Sequence, residues 1–421
     1  MRTSSLISLF ALCSALLLGG CGDDDSSGTP DAAAPDGMVD ATPDAMLDAT
    51  ADATPDAVID GMVDASDGGD GGMMPCAPNL LVTTSDFATA QLFYVDTMTL
   101  APQMLAMDLP DQDTLPTAAG CSVALLQRAN GIVQYQMDAD PLMSAGTVDV
   151  NPAGAMPPYA ANPQRVIAVS PAKAYVIQGS LNEVTIIDPS TFSVTGSIDL
   201  SGFVKPADTD GGVNATDAIQ IGDRLYVGLG NYYFDATGIN FTGSELAVID
   251  TTTDMVVDLD AATDGVQGID LQGENPWRGL VFDAAANRLL VGATGDSFAI
   301  DGSIEIVDLA MGTAEASLLT EMELGQEIGG YAYVSPTRLY VLTGSCPGGC
   351  SLQSVDPSAA APTATMVQAD TNGILLHEGV LYAWGAGGLR TFDPETAMET
   401  TPGGTPVALG TLPIYGVAPA P

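Results

Sequence analysis

The segment Lys173-Ala174-Tyr175-Val176-Ile177 is followed closely by Thr185-Ile186-Ile187-Asp188-Pro189-Ser190-Thr191, and together they decide the fold. Each run is rich in β-branched and aromatic residues and is bounded by turn-forming residues, which is typical of a β-hairpin. An apolar strand ends in an aspartate in the same way at seven places, namely Asp96, Asp138, Asp188, Asp250, Asp308, Asp356 and Asp393. Because a second β-rich run precedes each of them, the chain contains seven copies of one structural unit.

Two further strands complete the unit in most copies. A strand such as residues 165–171 comes before the hairpin, and a strand such as residues 193–200 follows the aspartate. Residues 76–421, shared among seven units, give about 49 residues each, which is the size of a four-stranded propeller blade. The sequence therefore predicts an all-β domain over residues 76–421, a seven-bladed β-propeller of four-stranded antiparallel blades.

The hairpin segments also resemble a known repeat family. Lys173-Ala174-Tyr175-Val176 and Ile187-Asp188-Pro189-Ser190-Thr191-Phe192 are similar to the YVTN-type propeller repeats, and the other units look like degenerate copies. The resemblance extends over the whole predicted propeller. It implies the fold and carries no activity with it.

The C-terminal segment predicts how the ring closes. The first unit lacks a first strand of its own before Asn79, whereas Ile414-Tyr415-Gly416-Val417-Ala418-Pro419 looks like Val166-Ile167-Ala168-Val169-Ser170-Pro171. An open ring would leave two unpaired sheet edges. We therefore expect the C-terminal strand to be the innermost strand of the first blade, beside residues 80–83.

The N-terminus has the pattern of an export signal. Arg2 precedes an apolar run over residues 6–18 that is short for a finished membrane span. Leu18-Gly19-Gly20-Cys21 resembles the lipobox of bacterial lipoproteins, which implies a signal peptide over residues 1–20 and lipidation of Cys21. Acyl chains would then be the only membrane anchor. Gly22 rather than Asp follows the cysteine, which favours the outer membrane. The alternative is an ordinary secretory signal with a chance cysteine.

Residues 21–75 have the composition of a disordered acidic linker. Aspartates recur there with a period of four, at Asp36, Asp40, Asp44, Asp48, Asp52, Asp56, Asp60 and Asp64. Self-repelling carboxylates with Ala, Gly and Pro bury too little apolar surface to offset chain entropy. We favour a solvated spacer over a weak Ca²⁺-binding segment, because the repeat lacks the turn geometry of a calcium site.

Charge excludes one class of partner. The chain has 53 acidic and 10 basic residues, a formal net charge of -43. Such a field repels nucleic-acid phosphates, so we expect no nucleic-acid binding.

The repeated aspartates invite a metal-site interpretation, but their position favours turns. Asp before Pro, Ser or Thr at a strand end commonly accepts hydrogen bonds from backbone N–H groups two residues on. The only histidine, His377, lies in a segment that we expect to be a surface turn. The sequence predicts no metal, no cofactor and no catalytic residues.

Four cysteines belong to the predicted propeller. Export favours disulfides, and Cys346 and Cys350 can pair across their Pro-Gly-Gly turn, which leaves Cys76 and Cys121 as a second pair. A thiolate metal site is the alternative, although the spacing is not that of a CxxC pair.

The longest inserts predict where a ligand binds. Loops between the second and third strands and loops between blades emerge on one face, and the large inserts fall in these loops. The insert 231–244 contributes Tyr232, Tyr233, Phe234, Asp235 and Phe241, a mixture that suits a glycan, a peptide or a protein.

A second candidate group follows from aligning the first strands. Asn162, Asn214 and Asn275 fall at equivalent positions, each followed three residues on by Arg165, Asp217 and Arg278. The three charged residues should surround the opening of the central channel. We favour mutual neutralisation across neighbouring blades, and the alternative is an anion-binding site.

Two functions remain open on these observations. The first is an exported, lipid-anchored lipoprotein whose monomeric propeller is a binding module. The alternative is a lactonase- or lyase-like enzyme at the channel opening, with Arg165 and Arg278 holding an anion and Asp217 as base or metal ligand.

Overall fold

The computed structural model describes residues 79–119, 122–137, 143–155, 161–236, 238–263, 265–277, 279–296, 299–344 and 349–420. The predicted signal peptide, Cys21 and the acidic linker lie outside the described residues. Within them the chain forms seven antiparallel sheets and one separate two-stranded hairpin.

The first three blades contain eleven strands in chain order. Blade one has β1 (Asn79–Ser85), β2 (Ala90–Asp96) and β3 (Pro102–Ala106). Blade two has β4 (Thr114–Ala119), β5 (Ser122–Gln127), β6 (Ile132–Met137) and β7 (Met143–Asp149). Blade three has β8 (Pro163–Ser170), β9 (Lys173–Gln178), β10 (Glu183–Asp188) and β11 (Ser193–Asp199). A 3₁₀ turn, Ser201–Phe203, follows.

Blades four and five have an outer strand that is broken into two short pieces. Blade four has β12 (Ala215–Ile221), β13 (Arg224–Leu229), β16 (Glu245–Asp250), β17 (Met255–Val256) and β18 (Ile269–Asp270), and its insert forms β14 (Tyr232–Asp235) and β15 (Gly238–Phe241). Blade five has β19 (Leu280–Asp283), β20 (Arg288–Ala293), β21 (Ser303–Asp308), β22 (Thr313–Ala314) and β23 (Leu319–Thr320), then a one-turn helix α1 (Glu321–Leu324).

The last two blades lead back to the first. Blade six has β24 (Ile328–Ser335), β25 (Arg338–Thr343), β26 (Ser351–Val355) and β27 (Thr365–Ala369). Blade seven has β28 (Thr371–His377), β29 (Val380–Gly385) and β30 (Gly388–Phe392). A 3₁₀ turn, Pro402–Gly404, and the strand β31 (Ile414–Ala420) follow blade seven along the chain. The fourth position of blade seven is filled only by isolated bridges, Leu389 with Val407 and Phe392 with Glu399.

The strand β31 closes the ring as predicted. It pairs antiparallel with β1, with Ala420 opposite Asn79 and Val417 opposite Val82. Blade one therefore has the order β3-β2-β1-β31, and its innermost strand comes from the opposite end of the chain. This confirms the seven-bladed propeller and its closure by the C-terminal strand.

The core lies between blades. Seven clusters of buried apolar side chains occur among the described residues, one at each of the seven contacts between neighbouring blades. The cluster that joins blades seven and one includes Trp384, Leu80 and Ile414. Because strand residues alternate between the two faces of a sheet, each blade supplies apolar side chains to both neighbours.

The repeated aspartates occupy turns, as their sequence context predicts. In five of the turns the carboxylate Oδ1 accepts from the backbone N–H two residues on, as Asp188 does from Ser190 at 2.8 Å and Asp308 from Ala310 at 2.7 Å. Asp96 accepts from Thr99 instead, at 2.8 Å. Asp138 lies outside the described residues.

No helix among the described residues has the length and apolar character needed to cross a membrane.

Candidate functional site

Antiparallel pairing places the large inserts on one side of the ring. In blade four, the end of β13 pairs with the start of β16, so the insert that joins them leaves from the same end as Ala215, the first residue of β12. The same end receives the connections between blades. We call this side, formed by the second-to-third-strand loops and the interblade loops, the insert face.

The insert 231–244 forms a hairpin that belongs to no blade. Tyr232 pairs with Phe241, and their rings are 6.2 Å apart at 73°. The ring of Phe234 lies 5.8 Å from that of Tyr232, and 46% of Phe234 is exposed. Tyr233 is half-buried and Asp235 is exposed. The structure thus groups the rings of Tyr232, Phe234 and Phe241, whereas Tyr233 and Asp235 alternate with them along β14 and belong to the other face of the hairpin. The role of these five residues as a ligand site stays a prediction.

Three asparagines start the inner strands of blades three, four and five in the same unusual conformation. The φ angles of Asn162, Asn214 and Asn275 are 55°, 49° and 59°. Each of their carbonyl groups accepts from the backbone N–H of a residue that follows the second strand, at 2.9 to 3.0 Å. Asparagine tolerates this left-handed region better than most residues do, which explains the repeated choice.

Arg165 and Asp217 lie side by side on the inner strands of neighbouring blades. The Arg165 Nε is 3.6 Å from the Asp217 Oδ1, and the two side chains are 47% and 16% exposed. This contact agrees with mutual neutralisation. The separation exceeds a hydrogen bond, however, so the guanidinium is loosely held and open to solvent. Arg278 lies outside the described residues.

A second charged cluster, which sequence reasoning missed, centres on Arg128. This residue follows β5, and its Nη1 donates to the Asp113 Oδ1 at 3.1 Å and to the Tyr415 hydroxyl at 3.3 Å. Its Nε donates to the Asn162 Oδ1 at 3.1 Å. The Tyr415 hydroxyl in turn donates to the Asp113 Oδ1 at 2.5 Å. We call Arg128, Asp113 and Tyr415 the arginine cluster.

The arginine cluster lies on the insert face, the side that also carries the aromatic hairpin. Asp113 immediately precedes β4, Arg128 follows β5, and Tyr415 is the second residue of β31, all at the insert-bearing ends of these strands. The hairpin leaves blade four at the corresponding end, between Leu229 and Glu245. Within the hairpin, burial raises the pKa of Tyr232, Asp210 raises it further, and the positive charge of Arg128 lowers it.

Phe87 adds a strained and exposed ring to this surface. It lies in the loop between β1 and β2, with a φ of 62°, and 60% of the residue is exposed. A non-glycine residue in the left-handed region costs about 1–2 kcal/mol, and Phe has no side-chain oxygen to offset that cost. The ring packs edge-on against Tyr415, with centroids 5.2 Å apart at 75°.

The two tryptophans differ in their surroundings. Trp384 is 9% exposed and packs between blades seven and one. Trp277 is 39% exposed at the start of blade five.

His377 and the cysteines add little to the site. His377 is the last residue of β28 and is half-buried, with its Nε2 enclosed and without a hydrogen-bond partner, so it is not the surface turn residue that we expected. Cys350 is fully buried. Cys76, Cys121 and Cys346 lie outside the described residues, and both proposed pairs stay predictions. Among the described residues no three His, Cys, Asp or Glu side chains are grouped as metal ligands.

A small cleft also opens beside blade seven. Its volume is about 180 Å³, and Gln368, Asp370 and Arg390 are among its lining residues. Arg390 is paired with Glu399, so its charge is already balanced.

Comparison with known proteins shows the fold alone. No family model matches the chain, and no curated protein matches it. A 6-phosphogluconolactonase candidate from Bacteroides fragilis superposes with a TM-score of 0.53 at 12% identity, covering 83% of this chain and 99% of that one. The periplasmic gluconolactonase of Pseudomonas aeruginosa gives 0.51 at 12% identity, covering 81% and 98%. A second 6-phosphogluconolactonase candidate, from Bacteroides uniformis, gives 0.50 at 11% identity, covering 76% and 94%. The chain therefore shares its β-propeller fold with these proteins.

Proposed function

We propose that this protein is an exported binding module, anchored through lipid at Cys21, whose propeller captures a protein, peptide or glycan ligand on the insert face. The observation that carries the proposal is the hairpin β14–β15. It adds nothing to the pairing of blade four, yet it projects Tyr232, Phe234 and Phe241 as a packed aromatic group with Phe234 open to solvent. Aromatic groups in such settings supply large contact areas at low entropic cost.

The direction of the chain supports display of this face. Asn79 begins β1 opposite Ala420 and Asp96, at the end of the blade away from the insert face. A tether that precedes Asn79 would thus join the propeller on the far side from the hairpin.

The experiment removes the hairpin while leaving its base. Asn231 and Ser244 stay, because Asn231 Nδ2 donates to Glu245 at 3.2 Å and Ser244 Oγ donates to the Gly230 carbonyl at 2.9 Å. Residues 233–240 are replaced by Asn-Gly in the full chain. Pull-down and glycan-array screening should identify a ligand that this variant loses.

The matched control shortens residues 358–362, a loop that follows the third strand of blade six and so lies on the opposite face. The control should keep the ligand. Equal binding by the hairpin variant and the unaltered chain would overturn the assignment of the binding face.

A second candidate is a lactonase- or lyase-like enzyme at the channel opening. The loosely paired Arg165 could bind an anionic substrate, and Asp217 lies beside it as a candidate base. Three proteins of similar fold carry lactonase names, although likeness in fold does not transfer activity.

The test of the second candidate is hydrolysis of gluconolactone and 6-phosphogluconolactone, and cleavage of uronic-acid polymers, by the full chain. Asp217→Ala should abolish any such activity. Asp223→Ala is the matched control, because Asp223 is exposed in the tight turn between β12 and β13 on the opposite face. Activity that survives Asp217→Ala would remove this candidate.

A further inference from the structure

The loop that carries Phe87 is built to hold this ring in place. The Ser85 Oγ accepts from the Phe87 N–H at 3.0 Å and donates to the Gln112 carbonyl at 2.6 Å. The Asp86 Oδ1 accepts from the N–H groups of Ala88 and Thr89, at 2.9 and 2.7 Å. These hydrogen bonds thus fix the loop before and after Phe87, whose backbone is left-handed and whose ring is exposed. Because strained residues persist where the surroundings enforce them, often at ligand sites, Phe87 points to a binding role.

The groups next to Phe87 indicate the chemistry of a ligand. Both hydrogen bonds that Asp113 accepts from the arginine cluster end on its Oδ1, and its side chain is 31% exposed, so its Oδ2 can accept from a ligand hydroxyl. Arg128 donates its hydrogen bonds to Asp113, Tyr415 and Asn162 from Nε and Nη1. None of these three hydrogen bonds uses Nη2. A carboxylate acceptor and a guanidinium donor therefore adjoin the aromatic pair Phe87 and Tyr415.

The balance of charge favours a neutral ligand over an acid. Arg128 and Asp113 neutralise each other at 3.1 Å, and the chain as a whole carries a net charge of -43. An anion would gain little from the paired guanidinium and would be repelled by the field of the protein. A sugar ring, by contrast, has an apolar face for an aromatic surface and hydroxyl groups that donate and accept at its edge.

We propose that the exposed ring of Phe87, supported edge-on by Tyr415, is the stacking surface of a subsite for a neutral carbohydrate, with Asp113 and Arg128 as its hydroxyl-binding groups. This inference rests on the proposed binding function and names the ligand class. It concerns residues of blades one and two, whereas the hairpin is an insert between two strands of blade four, so the two can be tested separately.

The experiment applies the full chain to arrays of neutral oligosaccharides, namely oligomers of glucose, galactose, mannose and N-acetylglucosamine, with oligogalacturonates as the acidic comparison. Phe87→Asn removes the ring while supplying a residue that favours the left-handed conformation. Phe87→Tyr keeps the ring. We expect a neutral oligosaccharide to bind to the unaltered chain. Phe87→Asn should raise the Kd for this oligosaccharide by about tenfold or more, and Phe87→Tyr should bind it with unchanged affinity. Thermal unfolding of Phe87→Asn should be unchanged or improved, which separates lost binding from lost folding.

Each outcome bears on a stated part of the inference. The absence of binding to any neutral oligosaccharide, or binding of the oligogalacturonates alone, overturns the ligand class. Equal affinity of Phe87→Asn and the unaltered chain overturns the subsite. If a protein or peptide ligand is lost on replacing residues 233–240 while no sugar binds, the proposed function holds and this inference fails. If a sugar is lost with Phe87→Asn but kept without the hairpin, the subsite holds and the hairpin assignment fails.

Discussion

Asn79 and Ala420 are paired residues of one sheet, although 340 positions separate them in the chain. The pairing joins the first described strand to the last and gives blade one its innermost strand. The stability of the ring therefore depends on a strand at the end of the chain, where a short deletion removes it completely.

Truncation after Leu412 should lower the thermal midpoint by about 10 °C or more and cause aggregation. It removes β31, which buries Ile414, Ala418 and Ala420, and it exposes the unpaired edge of β1. Differential scanning calorimetry and light scattering measure both effects. Removal of Pro421 alone is the control and should change neither. An unaltered midpoint after the longer truncation would contradict the role of β31.

Tyr415→Phe should destabilise the propeller by about 1–3 kcal/mol. Burial raises the pKa of Tyr415, so the hydroxyl stays protonated and donates to Asp113. The substitution keeps the ring beside Phe87 and removes only this bond and the bond from Arg128. Urea unfolding measures the change, with Tyr233→Phe in the projecting hairpin as control. A loss equal to that of the control would show that the Tyr415 hydroxyl contributes nothing to stability.

The carboxyl of Asp250 should titrate far below an ordinary aspartate. Hydrogen bonds from the Thr252 hydroxyl and the Thr252 N–H lower its pKa from 3.8 to about 2. Since the folded-state pKa is depressed, the stabilisation is present above about pH 4 and is lost as the pH falls toward 2. Carboxyl NMR titration should show the pKa rising toward 3.8 in Thr252→Ala and staying low in Thr253→Ala, because Thr253 donates only its backbone N–H. An identical pKa in both variants would contradict the role of the hydroxyl.

Gly385→Ala should destabilise the protein by more than about 3 kcal/mol, whereas Gly196→Ala should cost under about 1 kcal/mol. A Cβ at Gly385 would lie 1.7 Å from the carbonyl oxygen of Asp370, which belongs to the backbone and has little room to move. At Gly196 the nearest atom is 3.6 Å away, an ordinary contact. Both glycines lie in strands, so the free energies of unfolding of the two variants, measured with denaturant, can be compared directly. Equal losses of stability in the two variants would show that the backbone at Asp370 can move to make room for a Cβ at position 385.

The sequence by itself determined the number of blades, the closure by residues 414–420 and the turns at the repeated aspartates. These features follow from local patterns, since a strand and its turn are specified by adjacent residues and recur once per blade. Alignment of the units also placed Asn162, Asn214 and Asn275 at equivalent positions, and the structure adds that all three are left-handed. The contact of Arg165 with Asp217 followed from the same alignment, because residues at equivalent positions of neighbouring blades are neighbours in the ring.

Only the tertiary structure decided the surface around Phe87 and Arg128. Tyr415 lies 287 positions from Arg128 in sequence, and they meet because β31 returns to blade one beside blade two. The sequence does not predict the left-handed conformation of Phe87, because phenylalanine has no preference for that conformation. The conformation depends on Ser85 and Asp86, whose side chains accept hydrogen bonds from the backbone of the same loop. A repeat predicts the features that every blade shares. The side chains of this surface do not recur from blade to blade, and they meet only because closure of the ring brings β31 next to blade two.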